Sequence, residues 1–266
     1  ASDREDKTME RGAFFATLLA ILLMSGAAWA GDFYVIAGGG VGTRITRVPY
    51  TISAPGFYYL AGNLSYNGIE NAITVNANEV TIDLMGYNLV STLQEGVRCG
   101  IYMHGRTNVE IRNGTITDFS FGVREDDANG LGHSVRNIRA LGNYVGISLA
   151  GKSHNVVGCT ASNNVSDGIF VHGGTVSGCT TQGGANRGID MVNGLIENCY
   201  CVGNRICFQI YSGAVIGNVA LECTHYGFLI GGSDLPLLMD QNSASAGSFN
   251  YSGGTAATVW GTNAGR

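Results

Sequence analysis

Short runs in which apolar residues alternate with polar ones recur along most of the chain. Ile73-Thr74-Val75, Ile101-Tyr102-Met103 and Ile147-Ser148-Leu149 share one pattern. VTIDL (80–84), VEIRN (109–113), SVRNI (134–138) and VVGCT (156–160) share a second. A period of two sends alternate side chains to opposite sides of a β-strand. The runs are short and bounded by Gly and Asn turns, which excludes a helical repeat.

The runs also repeat at a longer interval. VVGCTASNNVSDGIFV, TVSGCTTQGGANRGIDM and LIENCYCVGNRICFQI align so that Cys159, Cys179 and Cys199 share a column twenty residues apart, with Val219 expected to continue it. A Gly-Ile pair recurs as Gly146-Ile147, Gly168-Ile169 and Gly188-Ile189, with Gly227-Phe228 in the same place. A fixed period of this size means stacked supersecondary units. Each circuit holds at least two strands and is long enough to bring the next strand back parallel to the last. The pattern therefore predicts an all-β parallel β-helix, a solenoid of roughly nine coils. Asn113 and Asn137 are expected in the column that becomes Cys159, Cys179 and Cys199, their amides bonding from coil to coil. Beside them Asp83 is expected over Arg112, with Arg136 next, as an ion-pair column. Residues 31–55 are expected to cap the helix, 56–240 to form it, and 241–266 to supply the last coil and a fraying tail.

Composition narrows the class. Hydrophobic residues make up 45% of the chain, 41 residues are glycine and the net charge is −5. That balance fits a densely turned, packed β protein and disfavours disorder and nucleic-acid binding, which wants clustered Lys and Arg. Residues 1–30 read as an upstream extension plus a signal peptide: Arg11, an apolar run from Ala13 to about Met24, and Ala28-Trp29-Ala30 as a cleavage site. Secretion to the periplasm or exterior follows as an expectation, with no membrane insertion once the signal is removed. The seven cysteines cannot all pair within one chain. Buried thiols in a ladder, a disulfide between adjacent coils, or a metal site are the readings open for the stacked three.

PYTISAPGFYYLAGNL, NAITVNANEVTIDLMGYNL and GIYMHGRTNVEIRNGTI resemble the opening coils of secreted bacterial right-handed parallel β-helix repeat proteins, in the pectate-lyase-like superfamily. NSASAGSFNY is similar to the stretch that closes many of them. The resemblance covers roughly residues 33–251 and implies a single-stranded right-handed β-helix.

In enzymes of that superfamily the substrate lies along one stacked sheet, so the resemblance directs attention to the outward positions of the Gly-Ile strand. On this register Tyr102 neighbours Arg124 and His104 neighbours Asp126. The loop that follows, REDDANGLGHS, adds Glu125, Asp127 and His133. His104, Arg124, Asp126 and Asp127 are the candidate catalytic residues. Tyr102, Arg106, His133, Phe170, His172, Asp190 and Tyr211 are the candidate substrate contacts, aromatic faces for sugar rings and polar groups for carboxylates and hydroxyls. A lyase needs a base at the proton it removes and a cation on the uronate carboxylate. A hydrolase needs two carboxyl groups astride the bond. The DD pair is followed by LGHS and there is no NTD, so the hydrolase signature of the superfamily is incomplete. The acidic set of its Ca²⁺-dependent lyases is also incomplete. IAGGGVGT (36–43) reads as a turn and not a phosphate loop, since no Lys-Ser/Thr follows. His154, His172 and His225 are too scattered to suggest a metal site.

The expectation is a secreted protein that binds or presents a surface to extracellular polysaccharide. The alternatives are a lyase or hydrolase acting on an acidic glycan, with Ca²⁺ if lyase-like and otherwise no cofactor, and a self-associating structural module.

Overall fold

The computed structural model describes residues 42–93, 98–184, 186–231, 236–253 and 258–265. Residues 1–30, where a signal peptide is expected, and most of the Gly-rich turn at 36–43 lie outside them. Among the described residues there is no helix, and the strands form a parallel β-solenoid of about nine turns.

One coil illustrates the architecture. Val145–Leu149 lies in a first sheet, His154–Val157 in a second and Thr160–Ser162 in a third, after which Asp167 re-enters the first. Residues one coil apart pair in parallel. Ile101, Val123, Ile147, Ile169, Ile189, Phe208 and Phe228 form one unbroken column in the first sheet. Each is fully buried or nearly so, and with Ile111, Val135, Val156, Val176 and Ile196 of the second sheet they make the core. Regular stacking already includes Tyr50–Ile52, which pairs with Ile73–Val75, so the solenoid begins within the stretch expected to be a cap. At the other end Thr258–Trp260 pairs with Leu237–Met239.

The corner between the second and third sheets corrects the register read from sequence. Asn113 and Asn137 do not share the cysteine column. Ile138 pairs with Gly114, and Arg139 with Thr160, which puts Ile138 beside Cys159. Asn113 and Asn137 stand one position earlier, at φ of 58° and 51°, as do Gly158 at 61°, Gly178 at 59° and Asn198 at 52°. Only residues that tolerate the left-handed region suit that corner. Val219 is likewise displaced by one, because it pairs with Tyr200. The true successor to Cys199 is Asn218.

The stacked cysteines are free, buried thiols. The Cys159 and Cys179 amides each donate to the sulfur of the next coil's cysteine at 3.4 Å. The ladder then changes chemistry: Cys199 N–H donates to Asn218 Oδ1 at 2.9 Å, and Asn218 and Asn242 continue it to Asn242 and Asn263 at 3.0 Å. Thiol and amide do the same work, satisfying a corner amide that faces the interior. Cys207 and Cys223 form a disulfide, while Cys99 and Cys201 are also free and buried.

Asp83 does lie over Arg112, with Nε to Oδ2 at 2.8 Å, and Arg136 follows in register.

Candidate functional site

Strict alternation fails at the Gly-Ile pair. Phe121 pairs with Cys99 and Val123 with Ile101, yet Gly100 also points inward, since a Cβ there would meet Ile116 Cγ2 at 2.5 Å. Two consecutive inward residues move the preceding position to the outer side. The outer face of the first sheet therefore carries a column missed in the sequence: Cys99, Phe121, Val145, Asp167, Arg187 and Ile206. It runs beside the expected Thr74, Tyr102, Arg124, Ser148, Phe170, Asp190 and Gln209.

Five predicted residues meet where these strands end. His104 Nδ1 lies 2.8 Å from Asp126 Oδ1, and Nε2 lies 3.3 Å from Asp127 Oδ2. The Tyr102 hydroxyl donates to Asp126 at 3.1 Å, and Arg124 Nη2 approaches Asp126 Oδ2 at 3.5 Å. The Arg124 guanidinium also stacks over the Phe121 ring, 4.3 Å from its centroid, a cation–π contact. The hydrogen bond to Asp126 raises the His104 pKa, with both carboxylates adding to the effect. Partial burial and Asp126 push up that of Tyr102. His104 is exposed, so the cluster offers solvent an imidazole beside a phenol and a guanidinium, with the Asp126 and Asp127 carboxylates on either side of the ring.

Glu125 and His133 belong beneath this cluster. The sequence placed both in a solvent loop; the structure buries them, at 1% and 0% exposure. Glu125 is the last residue of Phe121–Glu125 and shares the inward side with Val123. Its Oε1 accepts from Gly105 N and Asp127 N at 2.8 and 2.9 Å, and its Oε2 from Arg106 N at 3.1 Å and His133 Nε2 at 3.2 Å. Burial alone would raise its pKa, but these donors outweigh that and hold it at about 2. One carboxylate thus ties together the two loops that carry His104 and Asp127. His133 accepts from Val109 N through Nδ1, and His133 N donates in turn to His154 Nδ1, both at 3.2 Å. The two imidazoles stack at 5.0 Å. Here histidine builds the coil-to-coil ladder that asparagine builds at the opposite corner. His133 is a supporting residue and has no route to a ligand on the outer face.

The remaining candidates separate. Arg106 points its guanidinium at backbone carbonyls, Nε to His104 O at 2.8 Å and Nη1 to Asn76 O at 3.3 Å. Half-buried Phe170 and exposed His172 lie two coils beyond Arg124 and Asp126. Asp190 follows one coil on and Tyr211 one further. Asp190 is outward in register but 1% exposed, with an unpartnered Oδ1. Arg187 grips Asp167 through Nε and Nη2, both at 2.8 Å, and pairs with Asp190 through Nη1. Burial pushes the Asp190 carboxyl up to about 6 against the pull of Arg187.

Among the described residues no three His, Cys, Asp or Glu side chains are placed to hold a metal ion. Asp126 and Asp127 are tied to His104 and fall well short of the six to eight oxygens Ca²⁺ takes.

No protein-family model and no curated protein matches the chain. Solved structures do. Two mutant structures of the periplasmic alginate epimerase AlgG are similar at 14% and 13% identity, covering 79% and 78% of this chain and 70% and 69% of theirs, with TM-scores of 0.55 and 0.53. The A-module of the Azotobacter vinelandii mannuronan C-5 epimerase AlgE4 is similar at 12% identity over 85% of this chain and 92% of that one, with a TM-score of 0.40. The chain is a parallel β-helix repeat protein. At these identities the likeness establishes the fold. In this β-helix the candidate site sits on the outer side of the first sheet, where successive coils set side chains about 4.8 Å apart.

Proposed function

We propose that the protein binds an acidic extracellular polysaccharide along the outer side of the first sheet, anchored at the Tyr102–His104–Arg124–Asp126 cluster. The observation that carries this reading is exposed His104 and half-buried Arg124, held by a shared carboxylate next to an aromatic phenol. Arg is suited to carboxylate recognition and Tyr to a sugar face. Phe170 and His172 extend the same surface along the solenoid. The AlgG structures, named for an alginate epimerase of the periplasm, lend support both to a polyuronate as ligand and to an exported protein. The test is retention on immobilised alginate, pectate and neutral glucan. Acidic chains are expected to be retained, and Arg124→Ala or Tyr102→Ala to lower the affinity about tenfold or more, on the order of 1.4 kcal/mol.

A second reading is proton transfer at a uronate C5. The hydrogen-bonded series Tyr102–Asp126–His104 favours it, since it joins a proton donor and an acceptor around one carboxylate, with Arg124 beside them to neutralise the substrate acid. Uptake of solvent deuterium into the polysaccharide, or an unsaturated uronate product, would establish it if lost in Asp126→Ala. New reducing ends without either would point to hydrolysis instead.

A further inference from the structure

The corner between the first and second sheets carries a buried histidine column directly under the candidate site. Val109, His133 and His154 precede Glu110, Ser134 and Asn155, which pair in register, and His154 itself pairs with Gly174. His133 and His154 are 0% and 2% exposed. Their hydrogen bonds fix where their protons lie. Val109 N–H donates to His133 Nδ1, so the ring proton sits on Nε2 and is given to Glu125. His133 N–H donates to His154 Nδ1, and His154 Nε2 donates to the Ala150 carbonyl at 2.7 Å. Both rings are therefore neutral and in the same tautomer. Asparagine makes the equivalent ladder at the opposite corner, where Asn218 accepts from Cys199 N–H. What imidazole adds is a proton site.

A second proton on His154 would sit on Nδ1 and point at the His133 N–H that now donates to it. The two donors cannot stay in contact, so the proton separates rings that stack at 5.0 Å. His133 is also a donor to Glu125, whose other partners are the amides of Gly105, Arg106 and Asp127. Those amides belong to the loops that carry His104 and Asp127, so a proton taken up at His154 reaches the site through two contacts. The titratable groups facing His154 are His133 and Glu125 from the preceding coil and His172 from the next. Burial, the largest influence, holds the proton off until about pH 4; His133 and His172 act with it, and the Ala150 carbonyl and Glu125 against it. The neutral column is fully favoured above the free imidazole value of 6.5 and progressively less as pH falls toward 4.

We propose that the Glu125–His133–His154 column is an acid-sensitive latch, which holds the loops of His104 and Asp127 together while His154 is neutral and releases them when it takes up a proton. Opening of the loops stands on these contacts alone, whereas release of a bound polyuronate in acid also rests on the polysaccharide reading above.

The experiment is amide hydrogen exchange on the whole protein without ligand at pH 7, 6 and 5, corrected for the intrinsic pH dependence of exchange. The Gly105, Arg106 and Asp127 amides are expected to lose protection about tenfold or more between pH 7 and pH 5, while those of Ile111 and Ile169 keep theirs. His154→Asn, which can accept from His133 N–H without titrating, is expected to show the same protection at all three values. Equal protection of the three amides at pH 7 and pH 5 in the wild type overturns the latch. So does the same loss in His154→Asn, or a loss shared by Ile111 and Ile169, which would be acid unfolding of the whole coil stack. Should His154→Asn not fold, NMR titration of the wild-type His154 ring decides: a ring that becomes charged with the three amides still protected overturns the proposal. A protein that opens in this way yet retains no polyuronate at pH 7 would overturn the binding reading and not the latch.

Discussion

His104 Nδ1 stands 2.8 Å from Asp126 Oδ1, between neighbouring coils of the first sheet. The bond favours the charged imidazole, and Asp127 on the far side of the ring acts in the same direction. Asp126→Asn is therefore expected to lower the His104 pKa, read by NMR titration of the ring protons. Polyuronate affinity is expected to fall as pH rises through that titration, since the cation is lost. An unchanged His104 pKa in Asp126→Asn would contradict this electrostatic picture.

Beneath the site, acid should loosen the scaffold in two steps. Burial depresses the His154 pKa to about 4 from an unfolded value near 6.5. Its neutral form is the one that fits, so its contribution is present above pH 6.5 and is lost as pH falls toward 4. Glu125, held at about 2, contributes stability above its unfolded pKa of 4.5 that is lost as pH falls toward 2. Denaturant unfolding at pH 7, 5 and 3 is expected to show a progressive decline. Glu125→Ala is expected to cost about 3 kcal/mol or more at pH 7, because it leaves several buried donors unpaired.

Asp190 should behave in the opposite sense. Its folded pKa of about 6 lies above the unfolded 3.8, so the site favours folding most below pH 3.8 and loses that advantage as pH rises through 6. Asp190→Asn removes this titration. The stability difference between Asp190→Asn and wild type is expected to shift in favour of the variant between pH 4 and 6.5, and a pH-independent difference would refute it.

The ladder between the second and third sheets gives a stability prediction. Asn218 accepts from Cys199 N–H, and its own Nδ2 donates to Ile196 O at 2.9 Å. Asn218→Ala orphans both groups inside the protein and is expected to cost about 1–3 kcal/mol for each. Gly194, at φ of 145° with its Cβ position against the Gly174 carbonyl, is expected to tolerate no side chain. Gly194→Ala should unfold at markedly lower denaturant, whereas a substitution at exposed Val165 should not.

The solenoid and most of its first-sheet register were legible because Ile, Gly and Cys recur at the coil period. The join of Tyr102, His104, Arg124 and Asp126 followed from that register alone. What escaped were places where local backbone broke the period of two. The doubled inward step at Gly100-Ile101 hid the outer column of Phe121, Asp167 and Arg187. The left-handed residue at Asn137 shifted the cysteine column by one. From sequence alone Glu125 and His133 belong to a polar loop, since ionisable side chains usually face solvent, yet both are buried. Only the folded loops show the four donors around Glu125 that make its burial stable.

The most direct test is binding of alginate and pectate oligomers to the protein from Gly42 onward, compared with Arg124→Ala and with Arg106→Ala, whose guanidinium serves backbone carbonyls. Saturable binding of the acidic chains, weakened about tenfold by Arg124→Ala and by less than twofold in Arg106→Ala, is the predicted result. Equal binding by the wild type and Arg124→Ala, or preference for a neutral glucan, would contradict the assignment of this sheet as an acidic-polysaccharide surface.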